Sequence, residues 1–218
     1  MKISACIFDL DGVIVDTAKY HYLAWKRLAR ELGFEFSSKH NERLKGVSRM
    51  RSLEILLEVG GITLSEKEME EAARRKNAWY IDFIATITPA EILPGIPDFL
   101  QELGVYKIKI AIGSASKNAG LILKRLQIED LFDAVIDGTQ VTKTKPDPEI
   151  FLLSADALHS KPEECIVFED ARAGVEAAKN GGMTCVGVGD QEILKQADLV
   201  IRSFKGLRWE YILNKLSH

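Results

Sequence analysis

The sequence predicts an α/β fold: a doubly wound parallel sheet with a Rossmann-like core, into which an all-helical subdomain is inserted. Three observations carry this. Short apolar runs alternate with helical patterns through the second half of the chain. One more apolar run, "ISACIF" at residues 3–8, stands by itself near the N-terminus. Between the two lies a region, from about Thr17 to Ile87, that holds no convincing strand.

The elements follow in chain order. Residues 3–8 read as a first strand, apolar with β-branched residues. "YHYLAWKRLARELGF" reads as a helix, with Leu23, Leu28 and Leu32 spaced roughly a turn apart and Gly33 as its stop. "SRMRSLEILLEVGG" is a second helix ended by two glycines. "SEKEMEEAARRKNAWYIDFIATI" is a third, and Ser65 with Glu68 has the spacing of a capping box. "YKIKIAIGSAS" then reads as a strand, followed by a helix over about 117–126. "FDAVIDG", "ECIVFED", "MTCVGVGD" and "DLVI" read as further strands. Helices follow Pro148 and span 171–180, and a short one is expected before "DLVI". Strands apolar on both faces suit a parallel sheet covered by helices.

The first strand is too short to fold alone, so it must join the later strands. The expected division is therefore a core of residues 1–16 and 88–218 and a helical body of residues 17–87. Linkers near Val15–Asp16 and Thr86–Pro94 would make a hinge.

Bulk properties narrow the function. The 218 residues suit one domain with a smaller insert, and 46% hydrophobic with 28% charged is an ordinary soluble composition. A formal net charge of -3 gives no sign of a nucleic-acid partner or a membrane surface. Asp9 and Asp11 interrupt what would be a signal peptide's apolar core. Cys6, Cys165 and Cys185 are scattered and odd in number, so they read as buried free thiols in a reducing cytoplasm. A monomer is expected, since two mobile bodies need no partner.

The chemistry gathers at the strand ends, where open α/β sheets bind ligands. The first strand ends in Asp9-Leu10-Asp11, "IAIG" in Ser114-Ala115-Ser116, and "VFED" in Glu169-Asp170. The loop after "VIDG" carries Lys143 and Lys145, either of which could reach the same rim. Crowded carboxylates take up protons unless a cation sits among them. All candidate ligands are oxygens, which points to a hard divalent ion, most simply Mg2+. A lysine and a serine hydroxyl suit phosphate oxygens. The set therefore reads as a phosphoryl-transfer site. No Gly-x-x-x-x-Gly-Lys-Ser/Thr loop or Gly-x-Ser-x-Gly turn is present. A carboxylate needs no base to act as a nucleophile, and it can form an aspartyl-phosphate. A second aspartate two residues on can move the proton of the reacting hydroxyl. Gly12 allows the chain to turn away sharply.

These residues resemble the haloacid dehalogenase superfamily. "FDLDGVIVDT" matches its D-x-D-G-x-[LIV]-x-D-[ST] signature, and "GSAS", Lys145-Pro146 and "FEDA" are similar to its later motifs, in order. The helical insert resembles its C1 cap. "HYLAWKRLA", "LKGVSRMRSL", "ARRKNAWY" and "GSASKN" resemble a branch that moves phosphoryl groups on a hexose. The resemblance implies that Asp9 is the nucleophile and Asp11 the general acid and base. It implies Mg2+ on the Asp9 carboxylate, the Asp11 carbonyl and Asp170, with Glu169 alongside. Ser114 and Lys145 would hold the transferring phosphate. Arg49, Ser116, Lys117 and Asn118 would hold the other phosphate of a bisphosphate. His21, Lys45, Gly46, Ser52, Lys76 and Ala115 would face the sugar or help position Asp11, and Thr17 would lie at the hinge.

The implied reaction interconverts β-D-glucose 1-phosphate and D-glucose 6-phosphate through β-D-glucose 1,6-bisphosphate. A sugar-phosphate phosphatase needs the same aspartate and stays open beside it. A phosphosugar-binding protein needs no nucleophile. Plainer roles also stand for single residues. Asp16 or Thr17 could cap the first helix, and Ser114 and Ser116 could cap another. Glu169 and Asp170 suit a helix N-terminus. Arg49 and Lys76 could lie on solvated faces, and His21 and Trp25 could simply be packed.

Overall fold

The computed structural model describes residues 2–44 and 47–217. The chain divides into two compact units, residues 1–16 with 88–218, and residues 17–87.

The first unit is built on six parallel strands in the order β3-β2-β1-β4-β5-β6. These are β1 (Ala5–Phe8), β2 (Lys109–Gly113), β3 (Ala134–Ile136), β4 (Cys165–Glu169), β5 (Thr184–Val188) and β6 (Leu199–Ile201). The helices of this unit are α5 (Ile96–Val105), α6 (Ala119–Leu126), α7 (Glu149–Ala157), α8 (Arg172–Asn180) and α9 (Trp209–Leu216). The helical unit holds α1 (Ala18–Glu31), α2 (Ser38–Asn41), α3 (Arg49–Gly60) and α4 (Glu66–Ile84). The strand order reverses at β1, where a doubly wound sheet opens its ligand crevice.

Burial explains why β1 is the sheet's axis. Ala5, Cys6, Ile7 and Phe8 are fully buried. Alternate residues face opposite layers. Ile7 joins Val167, Phe151, Val175 and Ala177 on one side. On the other side Phe8 stacks on Phe168, ring centroids 4.7 Å apart, and meets Phe99 edge-on at 6.4 Å. Such aromatic pairs add about 0.5–1.5 kcal/mol each beyond area burial.

In the helical unit, Ser65 Oγ accepts from the Glu68 N–H and the Glu68 carboxylate accepts from the Ser65 N–H, the expected capping box. Gly61 ends α3 with a left-handed φ of 62°. Trp25, Leu28, Leu53 and Leu56 form the buried centre of this unit.

Four sequence readings need correction. Leu23 is 45% exposed, because it precedes Leu28 by five residues and falls off the buried stripe that Ala24, Trp25 and Leu28 occupy. No helix forms between β5 and β6. There the Asp190 carboxylate accepts from the Glu192 N–H, closing a local turn that competes with helix. The helices α5 and α9 were absent from the sequence reading, although Ile96, Phe99, Leu100 and Leu103 have helical spacing and are buried. The strands are also shorter than read, with β2 confined to Lys109–Gly113 and β3 to Ala134–Ile136.

Candidate active site

Strand register builds the rim. Phe8 pairs with Phe168 across β1 and β4, so the next residues, Asp9 and Glu169, emerge side by side. Phe8 also pairs with Ile112 of β2, which leads to Ser114 two residues later. The Asp9 N–H donates to the Phe168 carbonyl at 2.9 Å and holds the chain at this point. Gly12, at φ 81°, then turns it away. A side chain at Gly12 would run into the Asp170 carboxylate, so this glycine also makes room for an acid.

Lys145 reaches into this rim. Its Nζ donates to Asp9 Oδ1 at 2.6 Å and to Glu169 Oε1 at 3.2 Å. Its side chain is only 6% exposed. The ammonium also lies 4.6 Å from the centre of the Phe151 ring. Lys143 is exposed and pairs with Asp147 at 3.2 Å instead, which settles the rivalry between the two lysines. The loop is fastened by Glu149, the first residue of α7, whose carboxylate accepts from the Thr142 and Lys143 N–H groups. Asn180 Nδ2 donates to the Pro146 carbonyl from the end of α8.

The acids crowd one another. Oxygens of Asp9, Glu169 and Asp170 lie within 4.8 Å of one another. Burial pushes the Glu169 carboxyl up, Asp9 adds to this, and Lys145 only partly opposes it. Burial raises Asp170 too, and Glu169, Asp9 and Asp11 raise it further. Burial alone would lower Lys145, but Asp9 and Glu169 outweigh it and hold the ammonium charged. One lysine therefore does not neutralise this cluster. An all-oxygen donor set with surplus negative charge fits a hard divalent cation.

Glu169 has both oxygens engaged. Oε1 takes Lys145, and Oε2 accepts from the Asp170 N–H at 2.8 Å. Gly174 leaves space for this carboxylate, since a Cβ there would collide with it. Phe151, Gly174 and Glu149 were not among the sequence-derived site residues. Their signal is tertiary packing, apart from the position of Glu149 after the Lys145 loop.

Ser114 is buried, and its Oγ accepts from the Ser116 N–H at 3.2 Å. Ser116 Oγ accepts from the Asn118 N–H at 3.3 Å. Both hydroxyls keep their own proton to donate. Neither caps α6, whose N-cap is Asn118. Ala115 and Lys117 are exposed in this loop. Gly138 packs beneath it, where a side chain would strike the Ala115 carbonyl.

The helical unit carries its own group of sequence-derived residues. Lys76 is buried, and its Nζ lies 2.9 Å from His21 Nδ1. Burial lowers the His21 imidazole well below its usual range, and Lys76 and Arg49 lower it further. Burial also lowers the Arg49 guanidinium, with Tyr80 opposing. Among the described residues no carboxylate pairs with Arg49. Ser52 is buried in the first turn of α3. Thr17 is buried at the N-cap of α1, without a side-chain capping bond, at the boundary between the units. Lys45 and Gly46 lie outside the described residues. No described helix is long and apolar enough to cross a membrane.

Known proteins resemble this chain along most of its length. The chain is 47% identical to the β-phosphoglucomutase of Bacillus subtilis, over 95% of this chain and 93% of that protein. It is 33% identical to a phosphorylated carbohydrates phosphatase of Thermotoga maritima, over 82% of each. Among solved structures, β-phosphoglucomutase from Clostridium difficile superposes with a TM-score of 0.93 and 47% identity, covering 99% of this chain and 97% of that one. Residues 6–188 match the family of haloacid dehalogenase-like hydrolases, and the chain belongs to that family.

Proposed function

We propose that this chain is a β-phosphoglucomutase, interconverting β-D-glucose 1-phosphate and D-glucose 6-phosphate through β-D-glucose 1,6-bisphosphate. The observation that carries this is the 47% identity to the Bacillus subtilis enzyme over nearly the whole of both chains.

The residues divide the work as follows. The Asp9 carboxylate attacks the phosphoryl group and carries it as an aspartyl-phosphate. Lys145 balances charge on Asp9 and on the phosphoryl oxygens, and the Ser114 hydroxyl donates to one of them. Asp11 gives a proton to the departing sugar oxygen and takes one from the incoming 6-hydroxyl. Mg2+ would be held by the Asp9 carboxylate, the Asp11 carbonyl and Asp170, with Glu169 alongside, and when bound it supplies electrostatic stabilisation of the transferring group. Glu169 orients Lys145 and the Asp170 backbone.

A mutase must also hold a second phosphate, because its intermediate carries two. Arg49, Ser116, Lys117 and Asn118 are assigned that role. His21, Ser52, Lys76 and Ala115, with Lys45 and Gly46, face the sugar or help position Asp11. Transfer to a sugar requires that water be kept from the aspartyl-phosphate, and Thr17 is assigned to the hinge. The buried free thiols suit a reducing cytoplasm, and the protein acts as a monomer.

A phosphatase is the second reading, favoured by the 33% identity to the Thermotoga maritima enzyme. One assay separates them. With Mg2+, β-D-glucose 1-phosphate and a trace of the 1,6-bisphosphate, glucose 6-phosphate should accumulate with little free phosphate. Phosphate release at a comparable rate overturns the mutase reading.

A further inference from the structure

Helical spacing interlocks two pairs of side chains in the helical unit. His21 and Trp25 sit four residues apart on α1, and Lys76 and Tyr80 four apart on α4, so each pair shares one face of its helix. The Lys76 ammonium lies 4.5 Å from the Trp25 ring centre and 4.8 Å from that of Tyr80. The His21 ring stacks on Tyr80, centroids 4.0 Å apart at 29°. Lys76 Nζ reaches His21 Nδ1 at 2.9 Å. Trp25 is 2% exposed and makes a face-on cation contact that a purely apolar side chain of similar size could not.

We propose that Trp25 is a positioning residue: with Tyr80 it cages the Lys76 ammonium, which donates to His21 Nδ1 and so fixes His21 as the tautomer with its proton on Nε2. An ammonium has three protons and no lone pair, so it can only donate. His21 Nδ1 must then accept, and the neutral ring carries its single proton on Nε2. Burial and the nearby cations keep His21 neutral, which the tautomer requires. A fixed Nε2–H is a directed donor toward a sugar hydroxyl or a carbonyl. That last consequence rests on the proposed function, whereas the tautomer does not.

The test is 15N–1H correlation spectroscopy of histidine side chains in the free protein, with His21 assigned from a His21→Asn spectrum. His21 should show the Nε2–H tautomer at neutral pH. Trp25→Phe should keep it, whereas Trp25→Leu should shift the ring toward a mixture, changing the tautomer ratio about tenfold. Lys76→Met, which leaves Trp25 in place, should also remove the preference and serves if Trp25→Leu does not fold. Protonated Nδ1 in the unaltered protein overturns the proposal, as does an unchanged spectrum in Trp25→Leu or Lys76→Met. If the tautomer is as stated but the assay finds phosphate release, the proposed function fails and this inference stands.

Discussion

Each of the two units buries a lysine, and they hold it in opposite ways. Lys145 donates to two carboxylates at 2.6 and 3.2 Å. Lys76 sits 4.5 and 4.8 Å from two aromatic ring centres and donates to an imidazole nitrogen. The first arrangement cancels charge, and the acids around it still exceed the cations. The second holds its cation over aromatic faces, in the same unit as Arg49, which has no carboxylate partner among the described residues. The α/β unit thus gathers Asp9, Glu169 and Asp170 at one rim, and the helical unit gathers Lys76, His21 and Arg49. The proposed reaction has both a divalent cation and a bisphosphate to hold, so groups of both signs are expected to serve it.

That contrast can be broken at several points. The largest effect is expected from Asp9→Asn, which removes the proposed nucleophile. Turnover should fall at least about 10⁴-fold, and no phosphoenzyme should form. Lys145→Ala comes next, since it leaves two buried carboxylates unpaired. Removing one partner of a buried pair destabilises by about 3–5 kcal/mol, so calorimetry in metal-free buffer should show a melting temperature lower by about 10 °C. A fall below about 2 °C would show that the rim does not depend on this cation.

Arg49→Ala should weaken use of the 1,6-bisphosphate about 10- to 100-fold while barely changing hydrolysis of a simple aryl phosphate. Equal losses in both assays would argue against a second phosphate site. Gly174→Ala pushes a methyl group into the Glu169 carboxylate. Overpacking of this kind costs about 1–3 kcal/mol. The apparent Mg2+ affinity should fall with it, as titration followed by melting temperature would reveal.

The smallest expected effect is on pH dependence. Burial raises the native pKa values of Glu169 and Asp170 above those of the unfolded chain, near 4. The native state then binds more protons than the unfolded one, so these groups stabilise at low pH and lose that contribution as pH rises through their native values. Metal-free protein should melt at falling temperature from about pH 5 toward mildly alkaline pH, and saturating Mg2+ should flatten the slope. A slope that Mg2+ leaves unchanged would place the titrating groups elsewhere.

Much of this was legible in the sequence, for identifiable reasons. Asp9, Ser114 and Glu169 stand just past or at the ends of apolar runs, and a parallel sheet brings such ends to one rim. The Ser65–Glu68 capping box was readable because both partners lie within one turn. What stayed hidden depends on contacts distant in sequence. Lys143 and Lys145 look equivalent until Glu149 fastens the loop and points one of them inward. Gly174 and Phe151 matter only because α7 and α8 pack against β4 and its neighbours, where they meet Glu169 and Lys145. Trp25 reads as core, which it is, and nothing in α1 alone says that an ammonium from α4 lies over its ring. The turn at 190–197 was missed because the helical pattern of its apolar residues hides the competing Asp190 side chain.

In the proposed reaction the phosphoryl group passes from Asp9 to a sugar and not to water. This is tested most directly by loading the enzyme from β-D-glucose 1,6-bisphosphate and mapping the phosphorylated residue by mass spectrometry. The loaded enzyme is then divided between buffer alone and buffer with β-D-glucose 1-phosphate. The label should be on Asp9, and the sugar phosphate should discharge it at least about 100-fold faster than water does. Discharge at equal rates, or a label on any other residue, would contradict the proposed reaction.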